Sequence, residues 1–293
     1  MKRMISLWLA LLICGGLGTA LAEGGPYDLP ISMTPGYEPN PACYTDMGYE
    51  DESLSVRMEK VRLEEYGCTV DLAWIKVKSP TQLRTAFHGN AKEQYESEPG
   101  ALVRAYQAVV AVNGDMFTRR HGMIYRMGIA LEQSQSPDKD SLFIDENGDF
   151  HPILDSDPAE MVAFLKAGHR IVNSFSFGPV FVMNGEARTI RDDYWFEALA
   201  RAPRTIIAQV DTLSYLFVEI EGRSQKSRGM TMQQAADYMA TLGVQTAYNL
   251  DGGNSSIMFF HRKYFDEHYE GSERKTSDIV YVCSAVDPAT WKK

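Results

Sequence analysis

Apart from one stretch near its start, the chain has no long apolar run. A spanning helix needs about 20 such residues, so no later segment is expected to cross a bilayer. Cysteine is scarce. The four are Cys14, Cys43, Cys68 and Cys283, and their spacing matches no zinc site. The six histidines (His88, His121, His151, His169, His261, His268) contain no H-x-x-x-H pair, which argues against a dedicated zinc centre. Positive charge is also short: 29 basic residues face 39 acidic ones, for a formal charge of −10. Such a surface disfavours nucleic acid and anionic lipid as partners, while still allowing a local basic pocket for a phosphate. No internal repeat, low-complexity tract or linker is present.

The one apolar run is informative. Lys2 and Arg3 precede Ile5–Cys14, and Ala20-Leu21-Ala22 closes the segment. A positive start, an apolar centre and an A-x-A end predict a secretory signal peptide over 1–22. Gly15, Gly16 and Gly18 interrupt the run, against a membrane anchor, and Ile13 before Cys14 is a poor fit to a lipidated cysteine. The mature protein is expected to be secreted or otherwise extracytoplasmic, with no membrane association after cleavage. In an oxidising compartment Cys43–Cys68 is the simplest disulfide, leaving an odd thiol. With hydrophobic residues at 44% and charged residues at 23%, the remaining 271 residues are expected to bury an ordinary globular core.

Residues 23–50, rich in Gly, Pro, Tyr and acids, read as an extended leader, and 51–293 as one domain. Alternation from Leu54 and a second run Val70–Val77 predict an antiparallel hairpin. Ala101–Gln107 reads as a helix and Ala108–Val112 as a buried strand. Ile124–Leu131 reads as a strand, and Leu142–Leu154 as a hairpin folded at Asn147-Gly148. Asp157, Pro158 and Glu160 open a helix through an N-cap and capping box, stopped by Gly168. Ser174–Met183 reads as a strand broken at Gly178-Pro179, and 186–202 as a surface segment with a short helix through Trp195. Ile206–Val210 pairs with Tyr215–Ile220. Thr231 and Gln234 form a capping box for a helix ending at Gly243, whose Met232, Ala235, Ala236, Met239 and Leu242 share a core-facing stripe. Gln245–Leu250 and Ile279–Cys283 are further strands. Many strands with about three helices make an α+β fold with mixed, mostly antiparallel sheet.

Two strand ends stand out. Ala108–Val112 delivers Asn113-Gly114-Asp115, followed by the positive cluster Arg119-Arg120-His121. Gln245–Leu250 delivers Asp251-Gly252-Gly253-Asn254-Ser255-Ser256. A loop crowded with glycine, hydroxyls and a carboxylate suits an anionic oxygen ligand or a hard cation. Its plainer reading is a hairpin turn between Leu250 and Ile257.

Six motifs in order resemble the phosphodiester glycosidase family over roughly residues 100–285. Asn113-Gly114-Asp115-Met116-Phe117 is similar to its N-G-[GD]-x-F. Ser176-Phe177-Gly178-Pro179 with Asn184-Gly185 is similar to S-F-G-P…x-G, and Pro203-Arg204-Thr205 to P-R-T. Gly222-Arg223 with Ser227-Arg228-Gly229-Met230-Thr231 is similar to G-R…S-x-G-M-T. Asn249–Ser256 is similar to N-L-D-G-G-G-S-S, and Glu273-Arg274 with Ser277-Asp278 to E-R…S-[ND]. Asn254 departs from the pattern by standing where the family usually has glycine. If that position needs φ > 0, Asn is the best-tolerated substitute. The family includes the lysosomal uncovering enzyme, which removes N-acetylglucosamine from a sugar phosphodiester, and secreted bacterial proteins related to exopolysaccharide.

The resemblance implies cleavage between an anomeric carbon and a phosphate oxygen, on a carbohydrate phosphodiester or polysaccharide partner. Arg204 and Arg223 are candidates for the anion, or else members of surface ion pairs. Gly252, Gly253, Ser255 and Ser256 can add donors; Asn113, Gly114, Ser176 and Gly178 complete the expected binding set. Asp251 and Asp115 are the candidate catalytic acids, with Asp278 in reserve: one nucleophile or base, the other acid or electrostatic partner. Asp251 can equally cap its own loop. A third option is a divalent cation held by these acids and Asn113. The rival function is a non-catalytic polysaccharide-binding protein using Tyr125, Tyr194, Trp195, Phe259, Phe260 and Tyr264 as stacking surfaces.

Overall fold

The computed structural model describes residues 29, 34–195, 197–265 and 274–291. The expected signal peptide, residues 23–28 and 30–33 of the leader, and Glu273 lie outside the described residues.

The strands, in chain order, are β1 (Tyr44–Thr45), β2 (Gly48–Glu50), β3 (Leu54–Leu63), β4 (Cys68–Val77), β5 (Leu83–Phe87), β6 (Val110–Asn113), β7 (Met123–Arg126), β8 (Ile129–Gln133), β9 (Ser141–Asp145) and β10 (Phe150–Ile153). They continue as β11 (Ile171–Phe175), β12 (Val180–Met183), β13 (Glu186–Ala187), β14 (Arg204–Asp211), β15 (Ser214–Ile220), β16 (Thr246–Asn249), β17 (Met258–Phe260), β18 (Lys263–Tyr264) and β19 (Asp278–Val282). The α-helices are α1 (Pro99–Ala105), α2 (Pro158–Lys166) and α3 (Met232–Thr241). One sheet runs β1-β2-β3-β4-β15-β14-β16-β12-β13, a second β10-β9-β11-β7-β8 and a third β18-β17-β6-β19-β5. The strand pairings within them are antiparallel, in agreement with the α+β expectation.

The three sheets share one central core. Ala73, Ile75, Ile207, Phe217 and Tyr248 come from the first sheet, Leu142 and Ile144 from the second, and Val110, Val112 and Val280 from the third. Alternate residues on the same strands face outer layers, because strand side chains alternate between faces. Val70, Leu72, Ile206 and Ala247 pack with Met232, Ala235, Ala236 and Met239 of α3. Ala111, Ile279 and Tyr281 pack with Leu102 and Val103 of α1. Phe143 packs with Met161 and Phe164 of α2. The middle strands are thus buried on both faces, which accounts for their unbroken apolar runs.

Local signals explain most element ends. The Thr231 hydroxyl accepts from Gln234 N–H at 3.2 Å, and Gln234 Oε1 accepts from Thr231 N–H at 3.1 Å, the expected capping box. Replacing Thr231 with Ala should cost about 1 kcal/mol, read from urea unfolding midpoints. Asp157 caps α2 through Ala159 N–H at 2.7 Å. Glu160 does not complete a box there; its carboxylate accepts from Leu154 N–H instead, at 3.3 Å.

Several expectations are corrected. Ile124–Leu131 is not one strand but the β7–β8 hairpin, turned at Met127 (φ 49°) and Gly128 (φ 77°). Ser174–Met183 is two strands in different sheets: β11 ends in the second, and β12 begins in the first after a cis Gly178–Pro179 bond. The described part of 186–202 holds β13 and turns, with no helix at Trp195. Residues 44–50 of the leader form the edge strands β1 and β2. Cys43, Cys68 and Cys283 are free. The expected Cys43–Cys68 pair does not form, because Cys43 packs on the central core while Cys68 sits in the layer beneath α3.

Candidate functional site

Asp251 does not turn a hairpin. β16 belongs to the first sheet and β17 to the third, so residues 250–257 carry the chain between layers. The join is held by Asn113 at the end of β6. Its amide donates to Asp251 O at 2.8 Å and Gly114 O at 2.9 Å. Its Oδ1 accepts from the Thr205 hydroxyl at 2.7 Å and Ile257 N–H at 3.2 Å. A fully buried amide with both ends satisfied is a structural tie. Asn113 thus spends its side-chain amide on holding the two strand ends together.

Asp115 and Asp278 are also committed. Arg126, in β7, is 0% exposed in its side chain. Its Nη2 lies 2.5 Å from Asp115 Oδ1 and 2.7 Å from Asp278 Oδ2, and its Nε donates to Asp278 Oδ2 at 2.9 Å. Asp115 Oδ2 accepts from Ser176 N–H at 2.9 Å, and Asp278 Oδ1 from the Ser277 hydroxyl at 2.8 Å. Gly114 makes room for this group, since a Cβ there would strike the Asp278 carboxylate. Burial pushes the Asp278 pKa up to about 6; Arg126 opposes the shift and Asp115 adds to it. Two carboxylates share one guanidinium, so only one is neutralised by it. Holding a cation at Asp115 would require breaking this triad.

Asp251 is different. It is 1% exposed, and its Oδ2 is buried with no partner of good hydrogen-bond geometry among the described residues, although the Ser255 hydroxyl lies close enough to lower its pKa. Its Oδ1 lies 3.5 Å from Arg120 Nη2. Burial raises its pKa; Ser255, Arg120 and Arg274 pull it down, and Asp115 adds to the rise. The Ser256 hydroxyl and Asn249 Oδ1 are likewise buried without partners. Orphaned buried polar atoms are uncommon, and each calls for an explanation such as an ordered water, a ligand or a catalytic use.

Arg120 and Arg274 act on this carboxylate, and further cations lie beside Arg120 and beside the loop. The Arg120 guanidinium lies 4.9 Å from the ring centres of both Phe177 and Trp195, and Lys139 Nζ lies 4.1 Å from Trp195. Burial lowers the Lys139 pKa, and Arg120 lowers it further. Arg223 lies over Gly253, where a Cβ would come within 3.0 Å of Nη1. It donates to Asn254 Oδ1 at 2.8 Å and to Glu197 Oε2 at 3.3 Å. The left-handed position in this loop is Gly253 (φ 63°); Asn254 is not among the positive-φ residues. Asn in place of glycine therefore brings no backbone strain, and it holds Arg223 beside the loop.

The structure uses Arg204 otherwise than expected. Its guanidinium donates to the carbonyls of Met230, Glu197 and Ala200 at 3.3, 3.0 and 2.9 Å, and burial lowers its pKa to about 10. It braces the 197–200 turn, whose Glu197 receives Arg223. Ser176 serves Asp115, and its hydroxyl donates to His121 O at 2.8 Å. Gly178 (φ 74°) accepts from the Asn249 amide at 2.7 Å, and a Cβ there would strike the Tyr194 hydroxyl. Gly252 and Gly253 are half-buried in the loop, and Ser255 and Ser256 are buried beneath it. Of the stacking candidates, Trp195 borders the site half-exposed, while Tyr125, Tyr194, Phe259 and Phe260 are core residues.

A family model described as phosphodiester glycosidase matches residues 106–283. The chain belongs to this family. A curated relative is the SPbeta prophage-derived uncharacterized protein YomE of Bacillus subtilis (strain 168). It is 30% identical over 110 residues, which is 38% of this chain and 17% of that protein. The chain thus spans less than a fifth of that relative. The zebrafish N-acetylglucosamine-1-phosphodiester alpha-N-acetylglucosaminidase catalytic domain, auto-inhibited by its pro-peptide, shares the fold. The TM-score is 0.62 at 14% identity, covering 86% of this chain and 87% of that one. A hypothetical protein from Synechocystis has a TM-score of 0.55 at 15% identity, over 79% and 62% of the two chains. In this chain the family match runs from the end of α1 to the end of the third sheet's β19. It therefore spans every residue of the Asp251 site.

Arg126 and Lys139 belong to no motif, and Arg120 stood out only as a member of the positive cluster Arg119-Arg120-His121. A lone arginine inside the apolar run Met123-Ile124-Tyr125-Arg126-Met127 was the available signal for a buried ion pair.

Proposed function

We propose that this protein hydrolyses the bond between an anomeric carbon and a phosphate oxygen in a glycosyl phosphodiester. The observation that carries the reading is the buried Asp251 carboxylate, one oxygen of which has no well-aligned partner among the described residues and the other of which lies 3.5 Å from Arg120. Arg120 and Arg223 hold the phosphodiester anion, with Lys139 adding positive charge. Trp195 offers a face to the sugar. Asp251 takes a proton from the attacking water as the new C–O bond forms at the anomeric carbon. The C–O bond to phosphate breaks with its electron pair on the phosphate oxygen, where the arginines stabilise it. A phosphate monoester is a good leaving group, so one working carboxylate is enough. Asp115 and Asp278 hold the loop ends through Arg126. A carboxylate with a raised pKa is the better proton acceptor near neutrality.

The N-terminal signal pattern supports an extracytoplasmic site of action, on a glycan or surface polymer. Release of free sugar from a panel of sugar-1-phosphodiesters tests the reading. Turnover of at least one α- or β-linked diester, with none of the matching phosphomonoester, is expected. Saturable polysaccharide binding without turnover anywhere in the panel would instead favour a binding protein that retains the fold.

A further inference from the structure

A second cluster lies away from the Asp251 loop. The β9–β10 turn is held by Asp145, whose Oδ1 accepts from Asn147 and Asp149 N–H, both at 2.9 Å. Its other oxygen faces two imidazoles. Asp145 Oδ2 lies 3.1 Å from His151 Nε2 and 2.9 Å from His169 Nδ1, with Asn147 Nδ2 a more distant third neighbour at 3.5 Å. His151 is the second residue of β10, and His169 follows the C-terminal end of α2. The two arms of one hairpin and the segment after α2 thus bring three donor atoms together, all within 4.8 Å of one another.

We propose that Asp145, His151 and His169 form a three-ligand site for a borderline divalent transition metal, Zn²⁺ foremost. Zinc binds imidazole nitrogen and carboxylate oxygen at about 2.0–2.1 Å in a tetrahedron, which places ligand atoms about 3.3 Å apart. The two measured separations already approach that edge. Imidazole donors select zinc, copper or nickel over magnesium and calcium, which require oxygen. The rings are held in place: Phe164 stacks on His169 at 5.1 Å and meets His151 edge-on at 5.0 Å. The carboxylate is fully buried, while the His151 and His169 side chains are 29% and 33% exposed. One side of the site is open to solvent, giving an entry path and a fourth position for water.

The site is structural rather than part of the proposed reaction. Tyr215 donates to Gly148 O at 2.9 Å, and Phe150 N–H donates to Gln209 Oε1 at 2.8 Å. This turn therefore meets β14 at Gln209, about 17 Å along the strand from Arg204 at about 3.3 Å per residue. Metal there ties the β9–β10 turn to the segment between α2 and β11. The spacing rule that argued against zinc looked for ligands within one helix turn; here they come from three separate segments.

The full chain, stripped with EDTA and desalted, should bind one Zn²⁺ per molecule in calorimetric titration, with a rise in Tm. Magnesium should do neither. Co²⁺ in place of Zn²⁺ should produce a visible absorption band from a nitrogen–oxygen site of low coordination number. His151→Gln and His169→Gln should each weaken Zn²⁺ binding at least about tenfold, and the double variant should abolish it, with sugar release unchanged. Absence of both saturable Zn²⁺ binding and the Co²⁺ band in the unaltered chain would overturn the proposal. So would undiminished binding in the double variant.

Discussion

Asp251→Asn should cut sugar release by roughly 10²–10⁴-fold, the usual contribution of a positioned acid or base, without unfolding the protein. The exchange preserves shape and the contact with Arg120, but the amide cannot take a proton. The stability change should run opposite to the activity change. Burial raises the Asp251 pKa in the folded state, so the folded protein keeps this proton at pH values where the unfolded chain has lost it. Stability from this group is therefore present at acid pH and falls as pH rises from the unfolded value, about 3.9, through the folded one. At neutral pH the Asn variant escapes that penalty, so its Tm should equal or exceed that of the parent. The parent's kcat/KM should also decline on the acid side at a pH above that of an ordinary aspartate. Wild-type turnover in the Asn variant, with normal thermal unfolding, would remove Asp251 from the reaction.

Arg126→Met should be the most destabilising single change among the site residues. It leaves Asp115 and Asp278 facing each other in a dry interior with no counter-charge. Breaking a buried pair from one side costs about 3–5 kcal/mol, a large part of the 5–15 kcal/mol that typically separates folded from unfolded domains. Urea unfolding at pH 7 measures the loss. The deficit should shrink towards pH 4, because protonated carboxyls no longer repel. In the parent, the Asp278 pKa of about 6 means that this group's contribution to stability is present at low pH and is lost as pH rises through about 6. Asp278→Asn should therefore be far milder than Arg126→Met, since it leaves Arg126 and Asp115 as a neutral pair. Equal losses for the two variants would show that the triad is not organised by charge.

The two predictions divide three aspartates that look alike in sequence. Asp115, Asp251 and Asp278 each stand at a strand end inside a family motif, and nothing in the motifs separates a working carboxylate from a braced one. That difference depends on Arg126, which no motif contains. Arg204 and Arg223 show the same thing in reverse: both lie in motifs, yet one is spent on three carbonyls while the other lies beside the Asp251 loop. Asn254, the residue that breaks pattern, proved harmless because the left-handed turn falls one residue earlier, at Gly253.

Local signals were reliable where the physics is local. The Thr231–Gln234 box, the Asn147-Gly148 turn, the Asp157 cap and the apolar stripe of α3 act within a few residues, so their reading from sequence held. The sequence by itself determined the α+β character, the strand runs buried on both faces and, through six ordered motifs, the family. Tertiary structure alone decided that β12 and β16 lie in one sheet while β11 and β17 lie in others. A strand's apolar pattern specifies that it is buried, not which neighbour buries it. The same limit holds for charge. Side chains distant in the chain acquire their roles from burial and pairing, so only the folded molecule sets Asp251 apart from Asp115 and gathers Asp145, His151 and His169.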